Sequence, residues 1–340
     1  MSAPLLCFGE LLLRLSAPGH ERLLQTPRLS VHVGGAEANV AVALAQFGHS
    51  VSMLGTVAAN PLGEAALGEL RRLGVDTGRV RRGEGRMGLY FFEQGALRRA
   101  SEVVYDREGS AFACARSADY DWPHLLVGGA RLHLSGVTPA LLGAECARTA
   151  IDAAQVAAQM GLPVSFDGNF RGRLWQRWGG DAAGLLKPLM ASADVLFANH
   201  RDIALVLGED FDGLSPQAAF RAAAEAAFTA FPRLQRFAAT LRLSGGVQQQ
   251  ELGALLALRD GRMLEAAPYR LEGIVDRIGA GDAFAAGLLH GLHVGMDDPR
   301  ALEFALASGA FKHTVPGDFS RCSSADIEAW QHGEGADVRR

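Results

Sequence analysis

The segment 276–287 carries the residues best suited to bind a phosphate. It reads Asp-Arg-Ile-Gly-Ala-Gly-Asp-Ala-Phe-Ala-Ala-Gly, with two glycines two positions apart just before a predicted helix. Glycine lets the backbone turn tightly, so the N–H groups of Gly279, Ala280 and Gly281 are expected to point at an anion, where the helix dipole also favours negative charge. The segment therefore predicts a phosphate-binding turn that lacks a Walker lysine.

Asp282 follows this turn directly and is the candidate general base. At the start of the helix its carboxylate is close enough to take a proton from a hydroxyl held beside the phosphate. The alternative is that Gly281 and Asp282 only end a loop and cap a helix, which is the better interpretation of an isolated Gly-x-Gly-Asp. The choice depends on what the rest of the chain contains.

Composition indicates a folded protein with a small-molecule partner. The chain has 340 residues, of which 49% are hydrophobic and 21% charged, and this excludes a disordered chain. A formal net charge of -4 provides no global electrostatic reason to bind nucleic acid or an anionic membrane. Nucleic-acid and membrane partners are therefore not expected.

The cysteines and the first residues point to the cytoplasm. Cys7, Cys114, Cys146 and Cys322 lie far apart, so neither a disulfide framework nor a zinc site is indicated, and a reducing compartment fits best. The first residues lack a basic signal region, and no apolar run of about 18 residues occurs, so no export or membrane insertion is expected.

Strand and helix patterns alternate along most of the chain. The apolar stretch 5–15 reads as one buried strand, and 36–47 as an Ala-rich helix; later strand–helix pairs predict a doubly wound, mostly parallel sheet. The aromatic stretch 86–112 reads instead as a hairpin that turns at Gly95. Without repeats or a linker, we expect one α/β domain over 1–335, with a small β-sheet lid drawn from about 10–35 and 86–112.

Two motifs together resemble the signatures of the ribokinase-like (PfkB-type) carbohydrate kinases. The segment 276–287 is similar to the C-terminal signature, and 34–43, Gly-Gly-Ala-Glu-Ala-Asn-Val-Ala-Val-Ala, is similar to the N-terminal one. The likeness runs from roughly Cys7 to Trp330. It implies a ribokinase-like fold, ATP and Mg²⁺ as cofactors, and the base role for Asp282; a monovalent cation is a further cofactor in question.

Within that family, four segments resemble the 2-keto-3-deoxygluconate kinases: 88–90, 105–111, 133–141 and 167–175. The resemblance implies a sugar-acid pocket lined by two tyrosines and two arginines. An arginine fork pairs with a carboxylate through charge-assisted hydrogen bonds that a neutral sugar cannot use. The four residues expected here are Tyr90, Tyr105, Arg107 and Arg171.

The resemblance also implies the remaining site residues. Asn39 lies in an apolar helix, where a buried amide needs partners that a sugar hydroxyl would provide. Asp202 stands where the family has a glutamate that places magnesium through water, so its reach is shorter. Arg277 replaces a threonine outside the phosphate turn, and little effect on the chemistry is expected. The other expected substrate residues are Gly34, Gly35 and Asp318, and the nucleotide residues are Asn169, Asn199, Thr240, Arg242, Ser244 and Gly246.

Each assignment has a structural alternative. For an arbitrary arginine such as Arg107 or Arg171, a surface position or a structural ion pair is the more common role. Tyr90 and Tyr105 are more typical of packed aromatics than of ligands, and the Gly34-Gly35 pair is also typical of a simple strand-to-helix turn. These alternatives stay open at this stage.

The expected reaction is phosphoryl transfer from ATP to the terminal hydroxyl of 2-keto-3-deoxygluconate, giving the 6-phosphate. A fructokinase, or another sugar or nucleoside kinase, is the alternative of the same class. A sugar or nucleotide sensor would keep the fold, but it has no need for a base at Asp282. The resemblance further implies a homo-oligomer in which the lid sheet packs against a second subunit.

Overall fold

A computed structural model describes residues 3–140, 144–245 and 249–333, and two β-sheets organise them. The strands are β1 Leu5–Phe8, β2 Leu12–Ser16, β3 Ser30–Gly34, β4 Val51–Ala58, β5 Val80–Gly83, β6 Gly88–Glu93, β7 Glu102–Asp106, β8 Arg131–Ser135, β9 Val164–Asp167, β10 Val195–Phe197, β11 Arg236–Gly245, β12 Gln249–Leu258 and β13 Met263–Glu272.

Helices connect most of these strands. They are α1 Ala36–Gln46, α2 Pro61–Arg72, α3 Ala111–Cys114, α4 Trp122–Leu126, α5 Ala144–Gln159, α6 Gly172–Trp178, α7 Ala182–Ser192, α8 His200–Leu207, α9 Pro216–Ala230, α10 Ala280–His293, α11 Asp298–Lys312 and α12 Ser324–Gln331. In the part of the chain that is described, none of them is long and apolar enough to cross a bilayer.

The large sheet has nine strands in the order β13-β12-β11-β10-β9-β8-β1-β4-β5. Pairing is parallel from β5 through to β11 and antiparallel between β11, β12 and β13. The predicted doubly wound, mostly parallel sheet is therefore confirmed. The sequence analysis did not name β13 as a strand, and its burial pattern does not alternate regularly.

Both faces of the large sheet are buried, as the residues of β1 illustrate. Leu5 and Cys7 pack into the apolar layer formed with α1, α2, α10 and α11, while Leu6 and Phe8 pack into the layer formed with α5, α7, α8 and α9. Successive strand residues point to opposite faces, so a strand covered on both sides must be apolar throughout. This is the continuous pattern that the sequence shows.

The stretch 5–15 forms two strands, β1 and β2, which belong to different sheets. The expectation of a single strand is wrong. At Gly9 the chain passes so close to the carboxylate of Glu37 that an added Cβ would overlap it. The break therefore lies where the backbone has to leave the large sheet.

The small sheet has four strands in the order β3-β2-β6-β7. Strands β6 and β7 form an antiparallel hairpin in which Tyr90 pairs with Tyr105, and β6 is parallel to β2. Its strands come from the segments 12–34 and 88–106. One face of the small sheet contacts the residues that follow β13, through Ile278.

Candidate active site

The turn before α10 is open toward a cleft at the carboxyl edge of the large sheet. Gly279 caps the helix with φ of 82°, a conformation that favours glycine, and an added Cβ would overlap the carbonyl oxygen of Asp318. A Cβ on Gly281 would meet nothing within 4 Å, and Gly281 lines the cleft. The N–H group of Ala280 lies 3.4 Å from the carbonyl oxygen of Arg277, a long contact. The turn therefore offers space and backbone donors to an anion.

Asp282, in the first turn of α10, contacts Asn39 of α1. The Asn39 amide donates a 2.6 Å hydrogen bond to the Asp282 carboxylate, although 243 positions separate the two residues. The other polar atom of the amide, Asn39 Oδ1, is buried and has no hydrogen-bond partner within the described residues. A buried acceptor without a donor is unusual, and a ligand hydroxyl would satisfy it.

Gly34 and Gly35 bring α1 to this place. An added Cβ on Gly34 would overlap the carboxylate of Asp318, and one on Gly35, whose φ is 143°, would overlap the carbonyl oxygen of Glu10. Both positions therefore need glycine for close approach. The pair opens the helix that carries Asn39.

The electrostatic surroundings suit Asp282 to accept a proton. Burial raises the pKa of Asp282 to about 7, and the nearby carboxylates of Glu37 and Asp318 act in the same direction. The hydrogen bond from Asn39 and the charge of Arg171 oppose the rise. A pKa near neutral pH is the range in which a carboxylate works best as a general base.

Two further carboxylates stand at the same edge, and one of them was not expected. Burial, then the charges of Asp282 and Asp202, raise the pKa of Asp167 to about 8, while burial raises that of Asp202. Asp167 ends β9 and Asp202 lies in the first turn of α8; both line a cleft of about 340 Å³. The position of Asp167 at the end of a buried strand was the available sequence signal.

This donor set fits a magnesium ion. Carboxylate oxygens are the ligands that Mg²⁺ prefers, and it commonly uses one or two of them together with water and phosphate. Burial is the main cause of the raised pKa values of Asp167 and Asp202, and a divalent cation beside them would favour their charged forms. Within the described residues no three histidine, cysteine or acidic side chains converge on one point, so protein ligands alone do not form a cage.

Three arginines form a series of neighbouring positive charges, and one of them, Arg171, lines the same cleft. Burial lowers the pKa of Arg242, and the like charge of Arg171 lowers it further. Burial also lowers the pKa of Arg277, and the charge of Arg242 adds to this effect. The charge of Arg171 also stabilises the carboxylates of Asp167 and Asp282. Arg277 therefore lies near Arg242 in this series of charges, and the expectation that it has little effect on the chemistry stays a prediction.

Tyr90 and Arg14 of the small sheet form a buried polar cluster with Asp276 and Asp318. The Tyr90 hydroxyl donates a 2.6 Å hydrogen bond to Asp318, and Arg14 Nη1 lies 3.1 Å from Asp318 Oδ1 and 2.8 Å from Asp276 Oδ2. The Tyr105 ring lies 6.2 Å from that of Tyr90, centre to centre. The structure therefore brings Tyr90, Tyr105 and Asp318 together, and adds Arg14, which the sequence analysis did not identify.

Arg107 is held by an acid that the sequence analysis also missed. Its Nε donates a 2.5 Å hydrogen bond to Glu10, whose other oxygen accepts one from Ser110, and all three residues are buried. Arg107 thus has an internal ion-pair partner, as the structural alternative supposes. A lone Gly-Glu break in an apolar stretch was the only sequence signal for Glu10.

The expected nucleotide residues other than Arg242 divide into two groups. Asn169, Asn199 and Thr240 line the cleft, with Asn169 at a φ of 38° and the Asn199 side chain accepting a hydrogen bond from the N–H of Arg201 as the cap of α8. The Asn199 oxygen therefore already has a structural partner. The side chain of Ser244 and the whole of Gly246 lie outside the described residues.

Known proteins share both the sequence and the fold of this chain. Residues 2–324 match the model of the pfkB family carbohydrate kinase. A 2-dehydro-3-deoxygalactonokinase of Haloferax volcanii is 34% identical over 100% of both chains, and a fructokinase of Klebsiella pneumoniae is 32% identical over 93% of this chain and 95% of its own. The crystal structure of a 2-dehydro-3-deoxygluconokinase from Thermotoga maritima has a TM-score of 0.91 at 41% identity, covering 97% of this chain and 99% of that one.

Replacing Asp282 by asparagine should abolish most phosphoryl transfer while nucleotide binding persists. Asn preserves the shape but cannot accept the proton, so we expect turnover to fall by at least about 100-fold. A coupled ATP-consumption assay measures turnover, and calorimetry measures ATP binding. Asp260→Asn, at an exposed hairpin turn, is the matched control. Turnover close to that of the unmodified protein would exclude Asp282 as the base.

The pH dependence of kcat/KM should follow the titration of Asp282. The base must be ionised, so activity should rise as the pH increases through about 7, where the pKa of Asp282 lies. Asn39→Leu removes the donor that stabilises the carboxylate, which raises this pKa further and should move the acidic limb to higher pH. A limb that stays in place or moves to lower pH in the variant would contradict this assignment.

Proposed function

This chain is a member of the PfkB family of carbohydrate kinases, and we propose that it transfers a phosphoryl group from ATP to the terminal hydroxyl of 2-keto-3-deoxygluconate, yielding the 6-phosphate. The observation that carries the choice of an acid sugar is Arg171. It is exposed at the cleft, and its charge acts on Asp282, Asp167 and Asp202. An exposed guanidinium can pair with a substrate carboxylate through charge-assisted hydrogen bonds.

The chain's own residues account for the proposed steps. Asp282 accepts the proton of the attacking hydroxyl, and Asn39 Oδ1 accepts a hydrogen bond from the sugar. Backbone N–H groups in the turn 279–281 donate to charge that develops on the transferring phosphoryl group. A magnesium ion held near Asp202 and Asp167 would neutralise polyphosphate charge. The small sheet, acting as a lid over the site, excludes water that would otherwise compete as nucleophile.

In this proposal two arginines that differ in exposure bind the carboxylate of the substrate. Arg171 precedes α6 and is exposed, whereas Arg107 is only 5% exposed and anchored through Nε to Glu10. An anchored guanidinium is preorganised, so it loses little side-chain entropy when it binds a carboxylate. The names of the relatives support a keto-deoxy sugar acid and leave two competitors, the 2-dehydro-3-deoxygalactonate epimer and fructose.

We also propose that two copies associate through the outer face of the lid. Val31, Leu15, Phe91 and Val104 face one another across the four strands and form an apolar row. Its end members, Val31 and Val104, are 60% and 52% exposed. A second copy of the same row would bury this surface, as isologous dimers do.

The compartment and the monovalent cation are further proposals. All four cysteines are free thiols, and this supports the reducing cytoplasm. Activity compared in sodium and potassium buffers decides whether turnover needs a particular monovalent cation.

A charge placed in the apolar row should separate the copies. We expect Val104→Asp to weaken self-association by at least about tenfold, because burying an unpaired carboxylate costs more than 1.4 kcal/mol. Light scattering across a concentration series measures this change. Val127→Asp, at a similarly exposed valine outside the row, should have no effect. A monomeric unmodified protein would refute the interface.

The substrate class is tested with Arg171→Ala on acid and neutral sugars. A charge-assisted hydrogen bond contributes roughly 1.5–3 kcal/mol, so KM for 2-keto-3-deoxygluconate should rise about 10- to 150-fold. The weak activity on fructose should stay almost unchanged, because fructose has no carboxylate. Arg201→Ala, an arginine of the same cleft, is the matched control. Assaying both keto-deoxy epimers identifies the preferred one.

Two results would overturn the acid-sugar proposal. One is a higher kcat/KM of the unmodified enzyme for fructose than for either keto-deoxy acid. The other is an equal loss of activity on fructose and on the acid sugars in Arg171→Ala, which would indicate a structural arginine or a contact with ATP.

A further inference from the structure

The chain uses lysine at only two of its 33 basic positions, Lys187 and Lys312. Lys187 is exposed on α7, but Lys312, the last residue of α11, is 0% exposed and among the largest fully buried side chains. Lysine is almost never fully buried without compensation, because an ammonium loses its hydration in the interior. The position of Lys312 therefore requires a reason.

The side chain of Lys312 ends beneath the phosphate turn. Its Nζ donates a 2.9 Å hydrogen bond to the carbonyl oxygen of Val315, and its Cε would lie 3.4 Å from a Cβ built on Gly279. Gly279 in turn packs against the carbonyl oxygen of Asp318. The ammonium thus lies where the amino-terminal end of α10 rests on the loop 315–318.

Charges of both signs act on this ammonium. Desolvation by burial lowers the pKa of Lys312, the carboxylates of Asp276 and Asp318 favour its charged form, and Arg14, which contacts the same two carboxylates from the small sheet, opposes it. Asp276 also accepts hydrogen bonds from the N–H groups of Ile278 and Gly317, one in the turn and one in the loop. Arg14 and Lys312 thus place two cations near these two carboxylates at the base of the turn, where Asp276 joins the turn to the loop.

We propose that Lys312 is a positioning residue whose buried ammonium is a fixed internal cation that sets the phosphate-binding turn against the loop 315–318. The inference rests on the proposed phosphoryl transfer and adds a residue that acts through the turn. A misplaced turn would no longer direct its N–H groups at the transferring phosphoryl group. A guanidinium has a wider, planar head and cannot replace the compact ammonium here, which explains a lysine in an arginine-rich chain.

A signal from the unmodified protein tests the proposal without any sugar. Lysine labelled with ¹³C at Cε produces two resonances, and Lys187→Met identifies them by removing one. Saturation with ADP and magnesium should shift the Lys312 resonance and leave that of Lys187 in place. A Lys312 resonance that does not move at saturation would overturn the proposal, because a turn that engages phosphate must alter the field at Cε.

Variants separate positioning from folding. Lys312→Met keeps an apolar stem without the charge, and we expect kcat to fall at least about tenfold while the KM for sugar changes little. Calorimetry should show weaker ADP binding, and Lys187→Met should match the unmodified protein in both measurements. A folded Lys312→Met with unchanged kcat and ADP affinity would refute the proposal.

Chemical rescue distinguishes a missing cation from a missing side chain. Lys312→Ala leaves a cavity that ethylammonium can enter, so this ion should restore part of the turnover. Tetramethylammonium, which is too large, controls for ionic strength. Equal effects of the two ions would contradict an internal cation. If the enzyme phosphorylates none of the acid and neutral sugars but the Lys312 resonance still shifts with ADP, the proposed substrate is wrong and the proposed role of Lys312 is retained.

Discussion

The hydrogen bond between the Asn39 amide and the Asp282 carboxylate is the contact on which the site depends. It joins the first turns of α1 and α10, whose amino-terminal ends meet at the carboxyl edge of the large sheet. Because it fixes the carboxylate at the mouth of the phosphate turn, it determines where a proton can be accepted. It also limits how far burial raises the pKa of Asp282. Glycines at 35 and 279 permit this meeting, since a side chain at either position would collide with neighbouring backbone.

Like charges stand close together on each side of this contact. Neighbouring carboxylates help to raise the pKa of Asp167, and neighbouring guanidinium groups help to lower the pKa values of Arg242 and Arg277. In the free protein, each of these charged groups lies near others of the same sign, and their mutual repulsion lowers the stability of the fold. A ligand that combines divalent cations with phosphates would relieve both, so the cleft is electrostatically preorganised for it.

Behind the cleft, buried ion pairs and hydrogen bonds orient the groups that face it. Glu10 holds Arg107, while Glu37 accepts hydrogen bonds from Ser135 and Thr138 beneath α1. Such pairs add little net stability, because desolvation offsets most of their attraction, but breaking one leaves an uncompensated buried group. These pairs therefore hold the side chains involved in one geometry. They show that Arg107, an arginine expected to bind substrate, already has a structural partner inside the protein.

The sequence by itself determined the features that depend on local backbone chemistry. The alternation of strand and helix patterns indicated the parallel sheet, and the Gly-Ala-Gly-Asp pattern placed Asp282 at the start of a helix. It did not reveal that 5–15 serves two sheets, because both halves are apolar and only the approach of Gly9 to Glu37 separates them. Nor did it identify Glu10 as the partner of Arg107, 97 positions away, or Lys312 as buried. Residue type shows that a charge exists, whereas its burial and its partner are set by which distant segments pack together, and only the tertiary structure decides that.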